Sequence, residues 1–144
     1  RMRAGSHHAV ILKRLDELAA SGKSVTVSTV VTAENLDGLG ELAVYLSDYA
    51  LSGARLHAWH LYQFIPEGRG GACNARALRV SEAGYDAACA AVKAMNPSST
   101  VFKRKDMRHS RTVDFFWQDG ETLRTGSETW TKPGLPRGAG TPAR

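Results

Sequence analysis

Segments with helical and with strand patterns alternate along most of the chain, and this alternation restricts the fold more than any other feature. Apolar residues recur with helical spacing in three segments, and β-branched and aromatic residues dominate the three segments that follow them. The predicted helices are 6–22, 35–53 and 81–96, and the predicted strands are 23–31, 55–65 and 99–107. Strands that alternate with helices are joined by right-handed crossovers, so the sequence predicts an α/β fold with a parallel sheet.

The start and the end of this alternating pattern predict how far the domain extends. The alternation opens on a helix with no strand before it, which is the pattern expected of the later part of a larger domain. After the third strand, residues 111–126 predict a β-hairpin whose tight turn is Asp119-Gly120. The proline- and glycine-rich residues 131–144 predict a disordered tail, so we expect the domain to span residues 1–130.

Composition excludes several classes of protein. The 144 residues suffice for one domain, and no apolar run approaches the roughly 18 residues of a membrane helix, so we expect no membrane partner. Cys73 and Cys89 have no CxxC spacing, which excludes a cysteine-only metal site within the chain, and no metal ligand is predicted. Cys89 falls on the apolar side of the third helix, where it reads as a small buried hydrophobe. A reduced, cytoplasmic location is the default for such a chain.

The predicted strands differ in how their two faces would be covered. In the first strand, Val25 and Val27 share an apolar face with Thr29 and Val31, whereas Ser28 lies on a more polar face that should meet a wetter environment. In the strand 55–65 both faces are largely apolar, which predicts cover on two sides.

Two loops follow the predicted strands at the edge where parallel sheets bind ligands. They are "TAEN" (32–35) and the glycine-rich "PEGRGG" (66–71), which opens a predicted loop over 66–80. Arg69 offers a fork of donors suited to carboxylate or phosphate, although an arginine in a loop is usually solvated. His60, just before this loop, is compatible with a buried, hydrogen-bonded histidine and with a catalytic one, and the first is the more common.

Three segments in this order resemble a known family. They are "MRAGSHHAVILKRLDELAASGKSVTVSTVVTAEN", "WHLYQFIPEGRG" and "DMRHSRTVDFFWQDGETLRTG", and the likeness extends over most of residues 1–126. The set is similar to the C-terminal part of radical S-adenosylmethionine (radical SAM) enzymes, with the viperin-like and molybdenum-cofactor-biosynthesis-like branches nearest.

The resemblance implies a TIM-barrel-like partial (β/α)6 barrel with a terminal β-hairpin. In this family a [4Fe-4S] cluster on a CxxxCxxC loop reductively cleaves SAM, and a 5′-deoxyadenosyl radical then abstracts hydrogen from the substrate. This chain contains no CxxxCxxC motif, so the cluster ligands are expected upstream and residues 1–144 alone are expected to be inactive. A reductase or other electron donor and a small-molecule or peptide substrate are the implied partners.

The resemblance also assigns roles to individual residues. Arg3 matches the family arginine that contacts the SAM carboxylate, and Ser28 matches a polar position near the SAM ribose or the substrate. The strand end that flanks the adenine corresponds to Phe64, Ile65 and Pro66. The residues expected on the substrate side, inside the barrel or at its mouth, are His60, Tyr62, Arg69, Arg108 and Ser110.

Three alternatives stand beside this hypothesis. The net charge of +5 and the basic segment 102–111, with Phe115 and Phe116 nearby, are compatible with a small basic α/β binding module for nucleic acid or an acidic partner, which we consider the weaker candidate. An exposed sheet edge is compatible with a dimer. Finally, "MRAGSHH" also resembles the remnant of an expression tag, an alternative that would remove Arg3 from the site.

Overall fold

The computed structural model describes residues 6–95, 98–105, 107, 116–119 and 121–125, with no side-chain detail for 6, 68–70, 117–119 and 124–125. The elements in chain order are helix α1 (Ser6–Ala20), strand β1 (Ser24–Val31), α2 (Leu39–Leu51), β2 (Arg55–Gln63), α3 (Gly68–Cys73), α4 (Ala75–Leu78), α5 (Glu82–Met95), β3 (Thr100–Arg104), β4 (Phe116–Asp119) and β5 (Thr122–Thr125). The predicted α/β class is confirmed. The predicted tail 131–144 lies outside the described residues.

Strands β1, β2 and β3 form a parallel sheet in sequential order. Each of the two crossovers contains a helix, α2 between β1 and β2 and α5 between β2 and β3. Because consecutive right-handed crossovers in one direction place their helices on the same side, α2 and α5 cover one face of the sheet. We call this side the packed face and the opposite side the open face.

The core lies between the packed face and these two helices. From the sheet it receives Val31, Trp59, Leu61 and Val101, and from α2 and α5 it receives Leu39, Ala43, Leu46, Tyr85, Cys89 and Val92. The indole Nε1 of Trp59 donates a 2.9 Å hydrogen bond to Thr29 Oγ1, so the one polar group of this ring is satisfied inside the core. Cys89 is buried, as predicted.

The expectation that β2 is covered on two sides is wrong. His60 and Tyr62 on the open face remain partly exposed, whereas Trp59 and Leu61 on the packed face are fully buried. The strand also does not alternate regularly, because the partner of Val25 is Leu56 and the partner of the next residue, Thr26, is Ala58. His57 is the extra residue of this β-bulge, and it allows Leu56 and Trp59 to share the packed face.

The predicted loop 66–80 is also wrong, since it contains the short helices α3 and α4. Gly71 in α3 explains part of its glycine content. A Cβ atom at Gly71 would lie 3.0 Å from the carbonyl carbon of Pro66 and 3.2 Å from the carbonyl oxygen of Ile65. The backbone of α3 therefore packs directly on the chain that leaves β2, at a distance that only glycine permits without a shift.

The largest shift of a helix boundary from its predicted position is at the start of α2. Helix α2 begins at Leu39 rather than at 35, because residues 33–38 form turns. The amide side chain of Asn35 is used there: Oδ1 accepts from the backbone N–H of Thr32 and Nδ2 donates to the Val30 carbonyl, both at 2.8 Å. These hydrogen bonds of the Asn35 side chain stabilise a turn after β1, and α2 therefore begins only at Leu39.

The hairpin and α1 complete the described structure. Strands β4 and β5 pair antiparallel, which confirms the predicted hairpin. The predicted turn is displaced, because Asp119 is the last residue of β4 and pairs with Thr122 rather than lying in the turn. Helix α1 ends at Ala20, and Gly22, two residues further on, adopts the positive φ of 64° that is common just after a helix. It lies beside α2, where the Tyr49 hydroxyl donates to the Leu15 carbonyl at 3.1 Å, but Ile11 and Leu18 of its apolar stripe stay exposed. Helical spacing predicts Met95 on the core side of α5 with Cys89 and Val92, but Met95 is 46% exposed.

Substituting Gly71 with alanine should destabilise the protein by about 1 kcal/mol. Overpacking against rigid backbone costs about 1–3 kcal/mol, which exceeds the gain of about 1 kcal/mol from replacing glycine within a helix. The matched control is Gly40→Ala in α2, where the new Cβ would meet only the flexible end of Met95 at 3.7 Å. Urea unfolding should show a loss for Gly71→Ala and no loss for Gly40→Ala, and equal effects would contradict the close approach of α3.

Substituting Tyr85 with phenylalanine should cost about 1–3 kcal/mol of unfolding free energy, because it leaves two backbone groups without a partner. The hydroxyl donates to the Leu61 carbonyl at 2.6 Å and accepts from the Arg104 N–H at 3.0 Å. Tyr45→Phe on α2 removes a hydroxyl that bonds to no residue of the described part of the chain, so it should change stability far less. Chemical denaturation of both variants compares them directly.

Candidate functional site

The strand register brings polar and aromatic side chains into two neighbouring rows on the open face. Ser28, His60 and Phe102 lie side by side across the three strands. The next row toward the carboxyl ends consists of Val30, Tyr62 and Arg104. Since neighbouring strands are about 4.8 Å apart, these side chains form one continuous surface. Ser28, His60 and Tyr62, three of the residues predicted for the site, are therefore brought together.

His60 is the centre of this surface. Its Nδ1 atom lies 3.3 Å from Arg104 Nε and 3.4 Å from the Tyr62 hydroxyl. Its ring centroid lies 4.9 Å from that of Phe102 and 6.0 Å from that of Tyr62. With Nδ1 accepting from Arg104, the neutral ring carries its proton on Nε2, so that nitrogen is a hydrogen-bond donor.

Arg104 is held at both ends. Its backbone N–H donates to the buried Tyr85 hydroxyl on the packed side, and its guanidinium lies 5.0 Å above the Phe102 ring on the open side. Strand β3 thus connects the core directly to the candidate site. A cation over an aromatic face is stabilised by the ring quadrupole, which favours a defined position for the guanidinium.

The two lysines that flank Arg104 have carboxylate partners on α5. Lys103 Nζ lies 2.7 Å from Asp86 Oδ1, and Lys105 pairs with Glu82. The Lys103 ammonium lowers the pKa of Asp86, and Lys105 adds to this effect, against the desolvation that raises it. Arg104 makes no salt bridge with any described carboxylate. The Arg104 side chain lies on the open face, and no carboxylate of the described residues neutralises its charge.

The electrostatics of the open face favour a neutral His60. Burial lowers the pKa of this imidazole, and the positive charge of Arg104 and the nearby His57 lower it further. A neutral histidine beside an arginine presents hydrogen-bond donors and a positive field, and no carboxylate among the described residues pairs with this arginine. The surface is therefore suited chemically to an oxyanion or to an electron-rich polar group.

The chain that leaves β2 forms the adjacent rim. Phe64 is still tied to β1 through its N–H, which donates to the Val31 carbonyl at 3.1 Å. Phe64, Ile65 and Pro66 are all half-buried. The backbone of α3 at Gly71 packs closely against Ile65 and Pro66. An apolar, rigid edge of this kind is suited to contact the face of a flat ring.

The loop after β1 carries a buried polar atom at the same end of the sheet. Thr32 is 1% exposed, and its Oγ1 has no hydrogen-bond partner among the described residues. The neighbouring Ala33 N–H donates to the Leu78 carbonyl at 3.0 Å, which ties this loop to α4. The "TAEN" loop therefore serves mainly as a structural turn, held by Asn35 and α4.

Several predicted site residues are not placed. Arg3, Arg108 and Ser110 lie outside the described residues. Arg69 lies in the first turn of α3, but its side chain also lies outside the described part. Of the aromatic pair proposed for nucleic-acid binding, Phe115 is outside and Phe116 is 53% exposed on β4. No group of three or more His, Cys, Asp or Glu residues capable of holding a metal occurs among the described residues.

Arg104 and Phe102 are site residues that the sequence prediction missed. The alternation of side chains along a strand could have identified them. Phe102 and Arg104 are two residues apart, so they lie on the same face of the predicted strand 99–107. Their alignment with His60 and Tyr62 depended on the inter-strand register, which the sequence pattern does not give.

A concavity lies at the end of the sheet opposite to the carboxyl ends of the strands. Its volume is about 410 Å³, and it is lined mainly by residues at the amino ends of β1 and β2, including Ser24 and Arg55. Ligands of parallel α/β sheets bind at the carboxyl ends of the strands, which favours the open-face cluster over this concavity as the ligand site.

No helix in the described part of the chain is long and apolar enough to cross a membrane.

The free energy of unfolding should decrease as the pH falls below about 6.5, and His60 should account for part of the decrease. Because the pKa of His60 is lowered in the folded protein, the unfolded chain binds a proton first on acidification, and this favours unfolding. His60→Gln should therefore flatten the dependence measured by urea unfolding between about pH 7 and pH 5. His8→Gln, which removes an exposed histidine of α1, is the matched control. An unchanged slope in His60→Gln would contradict the electrostatics described here.

Comparisons of the chain with protein-family models, with curated proteins and with solved structures found no match.

Proposed function

We propose that these residues form the C-terminal portion of a partial (β/α)6 radical SAM barrel, and that the open face lines its ligand chamber. The observation that carries this proposal is the one-sided sheet. In a β/α barrel the helices cover the outside of the strands, and the uncovered face becomes the interior. A parallel sheet with α2 and α5 on one side and polar and aromatic residues on the other has the organisation of such a wall.

The residues of the wall are compatible with SAM as a ligand. Ser28 presents an exposed hydroxyl for a ribose or amino-acid group, and the half-buried Ile65 and Pro66 form an apolar edge for an adenine. Arg3, which the resemblance assigns to the SAM carboxylate, lies outside the described residues. Bound SAM supplies hydrogen-atom abstraction after its reductive cleavage. This chain's own residues would bind and orient it and exclude water.

The described residues do not fit the iron–sulfur cluster. They contain no group of three metal-ligating side chains, and the sequence contains no CxxxCxxC motif. In the proposal the [4Fe-4S] cluster and its ligands belong to a segment outside these 144 residues. The proposed partners are an electron donor and a small-molecule or peptide substrate, and the proposed location is the cytoplasm.

The test uses the longest encoded protein that contains these residues. After reconstitution with iron and sulfide and reduction, it should release 5′-deoxyadenosine from SAM. Absence of that product, in a protein shown spectroscopically to carry a cluster, would overturn the proposal. An upstream coding sequence without a three-cysteine motif would also overturn it.

The variant Ser28→Ala of the reconstituted protein should raise KM for SAM about three- to tenfold, because losing one hydrogen bond weakens binding by about that factor. Ser24→Ala is the matched control, because Ser24 lies on the same face of β1 at the amino end. Formation of 5′-deoxyadenosine at a series of SAM concentrations separates KM from kcat. Equal behaviour of the two variants would remove Ser28 from the SAM site.

A further inference from the structure

We propose that Arg104, His60 and Tyr62 form a subsite for an oxyanion, a phosphate or carboxylate group of the ligand, at the carboxyl end of the open face. The first supporting observation is the charge of Arg104. The flanking cations Lys103 and Lys105 are paired with carboxylates of α5, whereas Arg104 has no carboxylate partner among the described residues. A partly buried guanidinium on a sheet face without an acidic neighbour is suited to an anion supplied by a ligand.

The second observation is that more donors converge on His60 than it can accept. Nδ1 has one lone pair, but both Arg104 Nε and the Tyr62 hydroxyl approach it, at 3.3 and 3.4 Å. Both distances are long for hydrogen bonds. The Tyr62 hydroxyl is therefore free to donate elsewhere. Together with the η nitrogens of Arg104 and with Nε2 of His60, it provides three kinds of donor on one surface.

The third observation is that the cluster is held before any ligand binds. The Arg104 backbone is bonded to the Tyr85 hydroxyl, which is itself anchored to the Leu61 carbonyl in the core. The Phe102 ring supports both the guanidinium, at 5.0 Å, and the imidazole, at 4.9 Å. A preorganised set of donors loses less conformational entropy on binding, which favours a specific anion over general surface attraction.

The position of the cluster decides where the anion lies. Arg104 is the last residue of β3, and Tyr62 lies next to the last residue of β2. Both are therefore at the carboxyl edge, where parallel sheets bind their ligands. Assigning the anion to the substrate of the chamber rests on the proposed function, whereas the existence of the subsite does not.

The test is titration of the 144-residue chain with inorganic phosphate and, separately, with acetate, followed by NMR of the His60 imidazole and the β3 amides. We expect saturable shifts confined to His60, Tyr62 and Arg104. Tighter binding of phosphate assigns a phosphorylated group, and tighter binding of acetate assigns a carboxylate. Absence of shifts at these residues with both anions overturns the proposal.

Variants separate a site from general charge attraction. Arg104→Gln should weaken anion binding about tenfold or more, because it removes charge-assisted hydrogen bonds. Arg104→Lys, which keeps the charge but not the fork, should fall between Arg104→Gln and the unsubstituted chain, and it covers the case in which the glutamine variant does not fold. The matched control Arg55→Gln makes the same change in net charge at the amino end of β2, and it should leave binding unchanged. Equal losses in Arg55→Gln and Arg104→Gln overturn the proposal.

This result is independent of the radical chemistry. A reconstituted protein that forms 5′-deoxyadenosine while the chain fails the anion titration would keep the proposed function and remove the subsite. Anion binding lost in Arg104→Gln, together with no SAM cleavage by a cluster-loaded protein, would keep the subsite and remove the radical SAM assignment.

Discussion

Burial of one face of a three-stranded parallel sheet is the constraint on which the rest of the structure depends. Trp59 and Leu61 in the central strand are fully buried by α2 and α5, and both helices lie on that side because right-handed crossovers place them there. The other face is left to side chains that tolerate water. The candidate site is thus a direct consequence of the handedness of the chain, since the same packing that makes the core leaves the open face available.

Tyr85 connects the core to the candidate site. Tyr85 is fully buried on α5, and its hydroxyl contacts β2 through the Leu61 carbonyl and β3 through the Arg104 N–H. Burial raises the pKa of this phenol above its usual value, so it stays protonated and keeps its donor role. The position of the Arg104 guanidinium on the open face is therefore set partly by a residue on the packed face.

Much of the fold could be predicted because its signals are local. The helical stripe that contains Tyr85, Cys89 and Val92 and the β-branched run of β1 identified these elements near their observed bounds. The predictions failed where tertiary contacts decide. Helices α3 and α4 fill a predicted loop because Gly71 can pack against the backbone after β2. The cover of β2 was misjudged because apolar content alone does not show how many layers a sheet has.

The candidate site was also predicted only in part from the sequence. By itself the sequence determined the α/β class, the polarity of Ser28 on one face of β1, and the placement of His60 and Tyr62 on one face of β2, since these follow from periods of 3.6 and 2.0 residues. Only the tertiary structure decided that Phe102 and Arg104 join them, and that a bulge at His57 keeps Leu56 and Trp59 on one face. It also decided that Lys103 lies on the packed side and pairs with Asp86, whereas Arg104 lies on the open side. The physical reason is register, because pairing between strands distant in sequence depends on contacts that no local pattern encodes.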